Sequence, residues 1–385
     1  MSTNGFSAKL RELLPRVRER REEIEEARQL PHDIVSDLAA SGVFKLGLLS
    51  VYGGDEASPT DLMRAYETVS VADGSTGWVT MIGAGGALFA GMMDETGFKE
   101  VFADPSWPTA ATVPPKGVAV PVEGGFKLSG RWPFASGIMH CDWVAAGCVI
   151  LYDGQPRMTP MGIPEVIWGW MPTSDIEIHD TWYVSGLRGT GSNDYSGKDV
   201  FVPQHRTFHL FDTTNHRSEP TVRLPGVAGF AAQVASVGLG IARAALDDLI
   251  DLAGGKMPTM STTSLAAKAA TQIEVAALEG KLAGARSFLY DSVDDVWETL
   301  LAGSEYTPRQ NALVRLAACQ AAETSAAVAH RVNTIAGGNS LYLSSSIQRH
   351  ARDADAVTHH FVVSPATLED AGRVLLGLEP SSPLF

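Results

Sequence analysis

The sequence predicts an α+β fold: helices at both ends of the chain, a central antiparallel β domain between them, and a C-terminal four-helix bundle. Three observations predict it. Long Ala-rich segments with a helical apolar period fill the chain from Ala228 onward, and shorter helical patterns fill the part before Trp107. From Trp107 to Arg206 the pattern changes to brief apolar runs bounded by Gly, Pro and Asp. Strands nowhere alternate with helices, so a Rossmann sheet is not indicated.

The elements follow in order. A charged amphipathic stretch, SAKLRELLPRVRERREEIEEARQL, opens an N-terminal helical domain, residues 1–106. In LPHDIVSDLAASG, Pro31 suits the start of a helix and Gly42 its stop, and SPTDLMRAYETVSVAD is the next helix. The charge-free segment Gly74–Met93, GSTGWVTMIGAGGALFAGMM, approaches membrane-spanning length. Its many glycines mark instead a buried helix whose backbone another group approaches closely. The β domain, 107–206, contains the runs GVAVPV, GFKLSGRW, DWVAAGCVILY, DIEIHDTWYV and SGKDVFV. A connecting loop, 207–227, carries the polar stretch FDTTNHRSEPTVRLPG. The bundle, 228–385, is expected from helices over Ala228–Leu252, Ser264–Leu301, Arg309–Ala336 and from Ile347 onward.

Composition narrows the class of function. With 30 Lys and Arg against 44 Asp and Glu, the net charge is −14, which repels phosphate backbones and anionic membranes. No nucleic-acid or membrane partner is expected. The three cysteines, Cys141, Cys148 and Cys319, form no CxxC pair, and no secretory signal precedes them. A cytoplasmic protein is the expectation.

Nucleotide and metal signatures are missing. RGTGSND lacks the Lys-Ser/Thr of a phosphate loop, GAGGA lacks the dinucleotide spacing, and His205 and His209 in HRTFH have no carboxylate partner in the motif. A flat heterocycle is better served elsewhere. RWPFASG, Arg131–Gly137, concentrates aromatic, small and hydroxyl residues in one turn, although taken alone it is better explained by core packing and a turn-forming serine. GLRGTGSNDYSGKDVFVP places Arg188 and glycines before a strand, and AGGNSLYLSSSIQRH places Gly337, Gly338 and Asn339 between two helices. Near the end, QRHARDADAVTHHF puts Arg349, Asp353, Ala356 and His360 on one helical face, with His359 about 100° away. A buried histidine there is either a bonded core residue or a proton-handling group.

In their order along nearly the whole chain, these segments resemble the acyl-CoA dehydrogenase superfamily. LPHDIVSDLAASGVFKLGLLSVYGG is similar to its helical opening, GLRGTGSNDYSGKDVFVP to the end of its β domain, and AGGNSLYLSSSIQRHARDA to its last helices. RWPFASGIMHCDW and RDADAVTHHF resemble the two-component flavin monooxygenases, which include p-hydroxyphenylacetate hydroxylase, secosteroid hydroxylase and dibenzothiophene monooxygenase. Where dehydrogenases carry a catalytic glutamate, in one form within a YEGT-like motif, this chain reads LYLSSS.

That resemblance implies reduced FMN or FAD supplied by a separate flavin reductase, O2 activation through a flavin hydroperoxide, and hydroxylation of an aromatic or polycyclic small molecule. It places Thr112, Trp132, Phe134, Ala135 and Ser136 beside the flavin ring, with Trp182 near them. Arg188 would meet the ribityl and phosphate end, together with Gly337, Gly338 and Asn339 of the same or a neighbouring subunit. His360 and Ser136 carry the catalytic expectation; Trp78, Phe230 and His359 that of a substrate pocket. A homotetramer is also implied. Several phenol-hydroxylating relatives have a histidine on the helix that reads WVTMIGAGGALF here, so a simple phenol is not the expected substrate. N-oxygenation of an amino sugar or amine, acyl-CoA dehydrogenation and a non-enzymatic scaffold are the alternatives.

Overall fold

The computed structural model describes residues 4–89, 92–159, 162–210, 219–224, 226–382 and 385. Of the expected connecting loop, residues 211–218 and 225 lie outside them.

Seven helices come first: α1 (Asn4–Glu19), α2 (Arg21–Ala27), α3 (His32–Ser41), α4 (Pro59–Ala72), α5 (Gly74–Gly83), α6 (Gly86–Phe89) and α7 (Glu95–Val101). Their ends follow local chemistry. Pro31 precedes α3, and Gly42 closes it at φ 84°, a left-handed conformation that costs glycine little. The Ser58 hydroxyl accepts the Asp61 N–H at the start of α4, and the Asp73 carboxylate accepts the Thr76 N–H at the start of α5. Helix α5 packs where the glycine-rich segment predicts a close approach. A Cβ on Gly77 would fall 1.9 Å from Ser70 Oγ, so α4 and α5 touch at a distance only glycine permits.

Eight strands follow: β1 (Ala110–Val122), β2 (Gly125–Ala135), β3 (Trp143–Tyr152), β4 (Gln155–Pro156), β5 (Val166–Pro172), β6 (Glu177–His179), β7 (Asn193–Pro203) and β8 (Thr207–Phe208). The sheet runs β6-β7-β2-β1-β3-β5-β8, with β4 on β3. It is antiparallel except between β1 and β3, which pair in parallel, so the sheet is mixed and mostly antiparallel, as expected. Strand β5 was not expected either. VIWGW is buried on both faces, so its apolar run lacks the alternation that marks a half-exposed strand. One face of the sheet encloses Leu128, Trp132, Val144, Ile150 and Tyr195. Its other side packs Trp168, Trp170 and Phe208 against Phe89, Phe98 and Phe102. Each such side chain removed from water contributes about 1.5–3 kcal/mol.

The chain then enters α8 (Gly226–Gly255), α9 (Ala269–Leu301), α10 (Pro308–Ala336), α11 (Ser346–Thr358) and α12 (Thr367–Leu375). Of these, α8 is long and apolar enough to cross a membrane, but 72% of its most apolar window is buried inside the protein. A core helix of a globular protein has that property. The first and last helices share a single apolar core, in which Tyr66 and Val69 of α4 join Val237 and Ile241 of α8 and Val328 of α10. The β domain is thus held between two helical segments that belong to one body.

Candidate active site

The site is assembled from five parts of the chain. Strand β2 ends in an irregular turn because Phe134 adopts φ 68°, a left-handed conformation costly for a side chain of this size. That turn leaves the Phe134 ring 62% exposed while Ala135 and Ser136 are buried. Facing it is the segment between β6 and β7. Leu187 is likewise left-handed, at φ 52°, and its carbonyl accepts both Trp182 Nε1, at 3.1 Å, and Thr190 Oγ1, at 2.8 Å. The Trp182 indole meets the Phe134 ring edge to face, with centroids 6.2 Å apart. Two strained non-glycine residues in contact-linked turns are the sign of a geometry held for function.

The helical body supplies the other wall. Trp78 of α5 donates from Nε1 to Ser136 Oγ at 3.0 Å. Its ring lies 5.6 Å from that of His360, edge on, and Phe230 of α8 meets His360 in the same manner at 5.4 Å. Burial among these aromatics pushes the His360 imidazole down to about 4, because the charged form loses its water. It is neutral at physiological pH. Its Nδ1 accepts the Val362 N–H at 3.4 Å, which assigns the ring proton to Nε2 and makes that atom a donor. Among the described residues, Nε2 itself makes no hydrogen bond.

Two expectations about the histidine pair are corrected. Helix α11 ends at Thr358, so His360 lies beyond it and opens the following tight turn; the helical-face argument reached the right side of the chain through the wrong conformation. His359 does not line a pocket. Its side chain is 76% exposed and 3.6 Å from Asp355, in water.

Other residues also lie apart from the cleft. Trp132 is fully enclosed in the sheet, stacked on Tyr195 and donating to the Gly147 carbonyl at 2.7 Å. Thr112 is bonded to the Tyr195 hydroxyl in the same interior. Strand alternation turns both inward, where no ligand reaches them. Gly337, Gly338 and Asn339 form a tight turn next to the N-terminal end of α11, whereas His360 follows its C-terminal end. Within one chain these two groups do not converge. His205 and His209 are taken up by Glu100, at 2.9 Å, and by the Val166 carbonyl.

Beneath the site lies a charged layer that sequence reasoning passed over. Glu25 of α2 pairs with Arg349 and Arg352 of α11 and lies 3.8 Å from Arg188. Asp353 accepts the Leu187 N–H at 2.6 Å and so ties α11 to the strained turn. Burial, with Asp73 and Glu25 adding to it, pushes the Asp353 carboxyl up to about 7. The signal available beforehand was the face that grouped Arg349 with Asp353; nothing local pointed to Glu25. Ser192 and Thr190 were also missed as side chains, since RGTGSND was read for its glycines.

The residues present fit a flat, anionic heterocycle. Arg188 Nε is buried with no hydrogen-bond partner among the described residues, although its guanidinium lies 3.8 Å from Glu25, and it sits in the turn that carries Thr190. The exposed Phe134 ring and the half-buried Trp182 supply apolar faces, and Ser136 a polar edge. A separate apolar cavity, lined by Met63, Leu224, Val293, Val296 and Val314, has a volume of about 30 Å³. It has room for one water-sized group and for no cofactor.

Comparison with known proteins decides the family. Residues 6–101 match the acyl-CoA dehydrogenase N-terminal domain and residues 232–365 the acyl-CoA dehydrogenase C-terminal domain. Indole-3-acetate monooxygenase of Pseudomonas putida is 35% identical over 372 residues, 96% of this chain and 93% of that protein. The chain belongs to the acyl-CoA dehydrogenase family. Within that family it is similar to oxygenase components of flavin-dependent monooxygenases. HsaA of Mycobacterium tuberculosis, named as such an oxygenase subunit, is 30% identical over 364 residues, 92% of this chain and 90% of HsaA. A crystal structure of the HsaA monooxygenase superimposes with a TM-score of 0.91 at 29% identity, covering 100% of both chains. The oxygenase component of the FADH(2)-dependent resorcinol hydroxylase of Rhizobium sp. is 28% identical over 374 residues, covering 92% and 90%. This chain is the oxygenase component of a flavin-dependent monooxygenase.

Proposed function

We propose that this oxygenase takes reduced FMN or FAD from a separate reductase and uses O2 to hydroxylate an aromatic or polycyclic small molecule. The observation that carries the reading is the neutral His360, with a donor at Nε2, set edge-on between Trp78 and Phe230 and linked through Trp78 to Ser136. Reduced flavin, when bound, supplies the two electrons with which one oxygen atom enters product and the other leaves as water. The chain's own residues do the rest. Phe134 and Trp182 border the ring, Ser136 meets its polar edge, and Arg188, held 3.8 Å from Glu25, offers its free Nε–H to negative charge. Trp78 and Phe230 keep water from the reacting position and present an apolar, aromatic surface to a flat substrate. His360 holds a proton at Nε2 within that dry space, where it can donate a hydrogen bond to an oxygen atom or, as a neutral base, take a proton from the substrate.

The relatives named for indole-3-acetate and resorcinol support an aromatic substrate, and the resorcinol enzyme's name supports FADH2. Its designation as an oxygenase component supports a separate reductase. Cys141, Cys148 and Cys319 are buried free thiols, which accords with a reducing, cytoplasmic setting. The exposed run Leu341, Tyr342 and Leu343, adjoining Gly337–Asn339, accords with a homotetramer in which that turn reaches a neighbouring subunit.

The test offers reduced flavin, labelled O2 and a panel of indoles, phenols and fused-ring aromatics to the purified chain. Incorporation of one labelled atom into an aromatic product is expected. Oxidation of the flavin without labelled product from any aromatic, together with labelled product from an amine, would move the assignment to N-oxygenation.

A further inference from the structure

Five groups at the site form an unbroken line of four hydrogen bonds: Trp78 Nε1 to Ser136 Oγ at 3.0 Å, Ser136 Oγ to Ser192 Oγ at 2.7 Å, Ser192 Oγ to Thr190 Oγ1 at 2.7 Å, and Thr190 Oγ1 to the Leu187 carbonyl at 2.8 Å. Ser192 and Thr190 are each at most 3% exposed, so water does not compete along the line.

The two ends have fixed polarity. An indole N–H only donates, and a carbonyl oxygen only accepts. At 2.8 Å, Thr190 Oγ1 and Leu187 O require a proton between them, and only Thr190 has one to give. Thr190 has then spent its proton, so the bond from Ser192 must carry the Ser192 proton. Ser192 is spent in turn, and the bond from Ser136 must carry the Ser136 proton. Ser136 finally receives Trp78 on one lone pair. What it has left for a ligand is a second lone pair and no proton.

We infer that this line of hydroxyls, anchored on the Leu187 carbonyl, sets Ser136 as an acceptor toward the cleft and thereby selects reduced over oxidised flavin, with Thr190 and Ser192 as the positioning residues. The inference rests on the flavin site proposed above. Reduction adds an N–H to the central ring of the isoalloxazine where the oxidised ring presents only a lone pair. A serine locked as acceptor satisfies the first and opposes the second. The strained Leu187 conformation belongs to the same device, because it aims the carbonyl at Thr190; the Asp353 carboxylate holds that turn from its N–H side.

The test measures dissociation constants of oxidised FMN and FAD in air, and of the reduced forms anaerobically, for wild type, Thr190→Val, Thr190→Ser and Ser192→Ala. In Thr190→Val the Ser192 proton is released toward Ser136, whose own proton turns to the cleft. In Ser192→Ala the Ser136 proton loses its acceptor and turns the same way. Both variants should reduce the preference for reduced over oxidised flavin by about tenfold, whereas Thr190→Ser keeps it. Ser192→Ala decides the matter if Thr190→Val folds poorly. An unchanged ratio, or equal weakening of both redox forms, overturns the inference while leaving the flavin site standing. Wild-type protein that binds neither redox form of either flavin overturns the site, and the inference with it.

Discussion

His360 matters here as a neutral ring. An imidazole forced well below its ordinary range keeps a proton on Nε2 at neutral pH without carrying charge into an aromatic pocket. His360→Ala should therefore keep reduced-flavin affinity while lowering the hydroxylation rate about 10²–10⁴-fold, measured as product formed per flavin oxidised. The same change at His359, exposed beside Asp355, should alter that yield little. Stability carries a second signature. The unfolded chain protonates this histidine near 6.5 and the folded protein only near 4, so its contribution is complete above 6.5 and is lost as pH falls toward 4. The thermal midpoint of His360→Phe should gain on that of wild type across that window. At this scale the sequence was informative about residue type. The neighbouring pair could be narrowed to one pocket-facing member, but Trp132 and Thr112 could not be excluded from the cleft, because one residue of strand alternation separates a lining side chain from a core one.

Helix α2 illustrates what governs an element. It has seven residues and no side-chain cap at its start, so its position depends on what it packs against. Ile24 is buried, and Glu25 joins the buried Arg349 and the half-buried Arg352 of α11. Glu25→Gln leaves Arg349 enclosed without its counter-charge, a one-sided loss that costs about 3–5 kcal/mol. A drop in thermal midpoint of roughly 4–6 °C is expected by calorimetry. Some element boundaries were legible because near neighbours set them: Pro31 and Gly42 bracket α3, and Ser58 and Asp73 start α4 and α5. The end of α11 was not. Its apolar pattern continues past Thr358, and the chain leaves the helix there to place His360 against Trp78 and Phe230, residues far away in sequence.

Across the whole molecule, the helices at the two ends of the chain share one core, and the cleft lies where that body meets the sheet. Leu341, Tyr342 and Leu343, each at least 70% exposed, form an apolar run on the outside of this arrangement. If this run carries the proposed homotetramer contact, Tyr342→Glu combined with Leu343→Glu should lower the mass of the assembly in light scattering; an unchanged mass would place the subunit contact elsewhere. By itself, the sequence determined the order of helical and sheet segments, the family and its oxygenase branch, and the kinds of side chain available for chemistry. Those follow from periodicity, turn residues and motif order, which are local along the chain. Only the tertiary structure decided that Trp78, Ser136, Ser192, Thr190 and His360 meet, and in which sense their protons run. Hydrogen-bond polarity depends on which oxygen lies within about 3 Å of which, and that distance is set by packing between segments the chain itself keeps far apart.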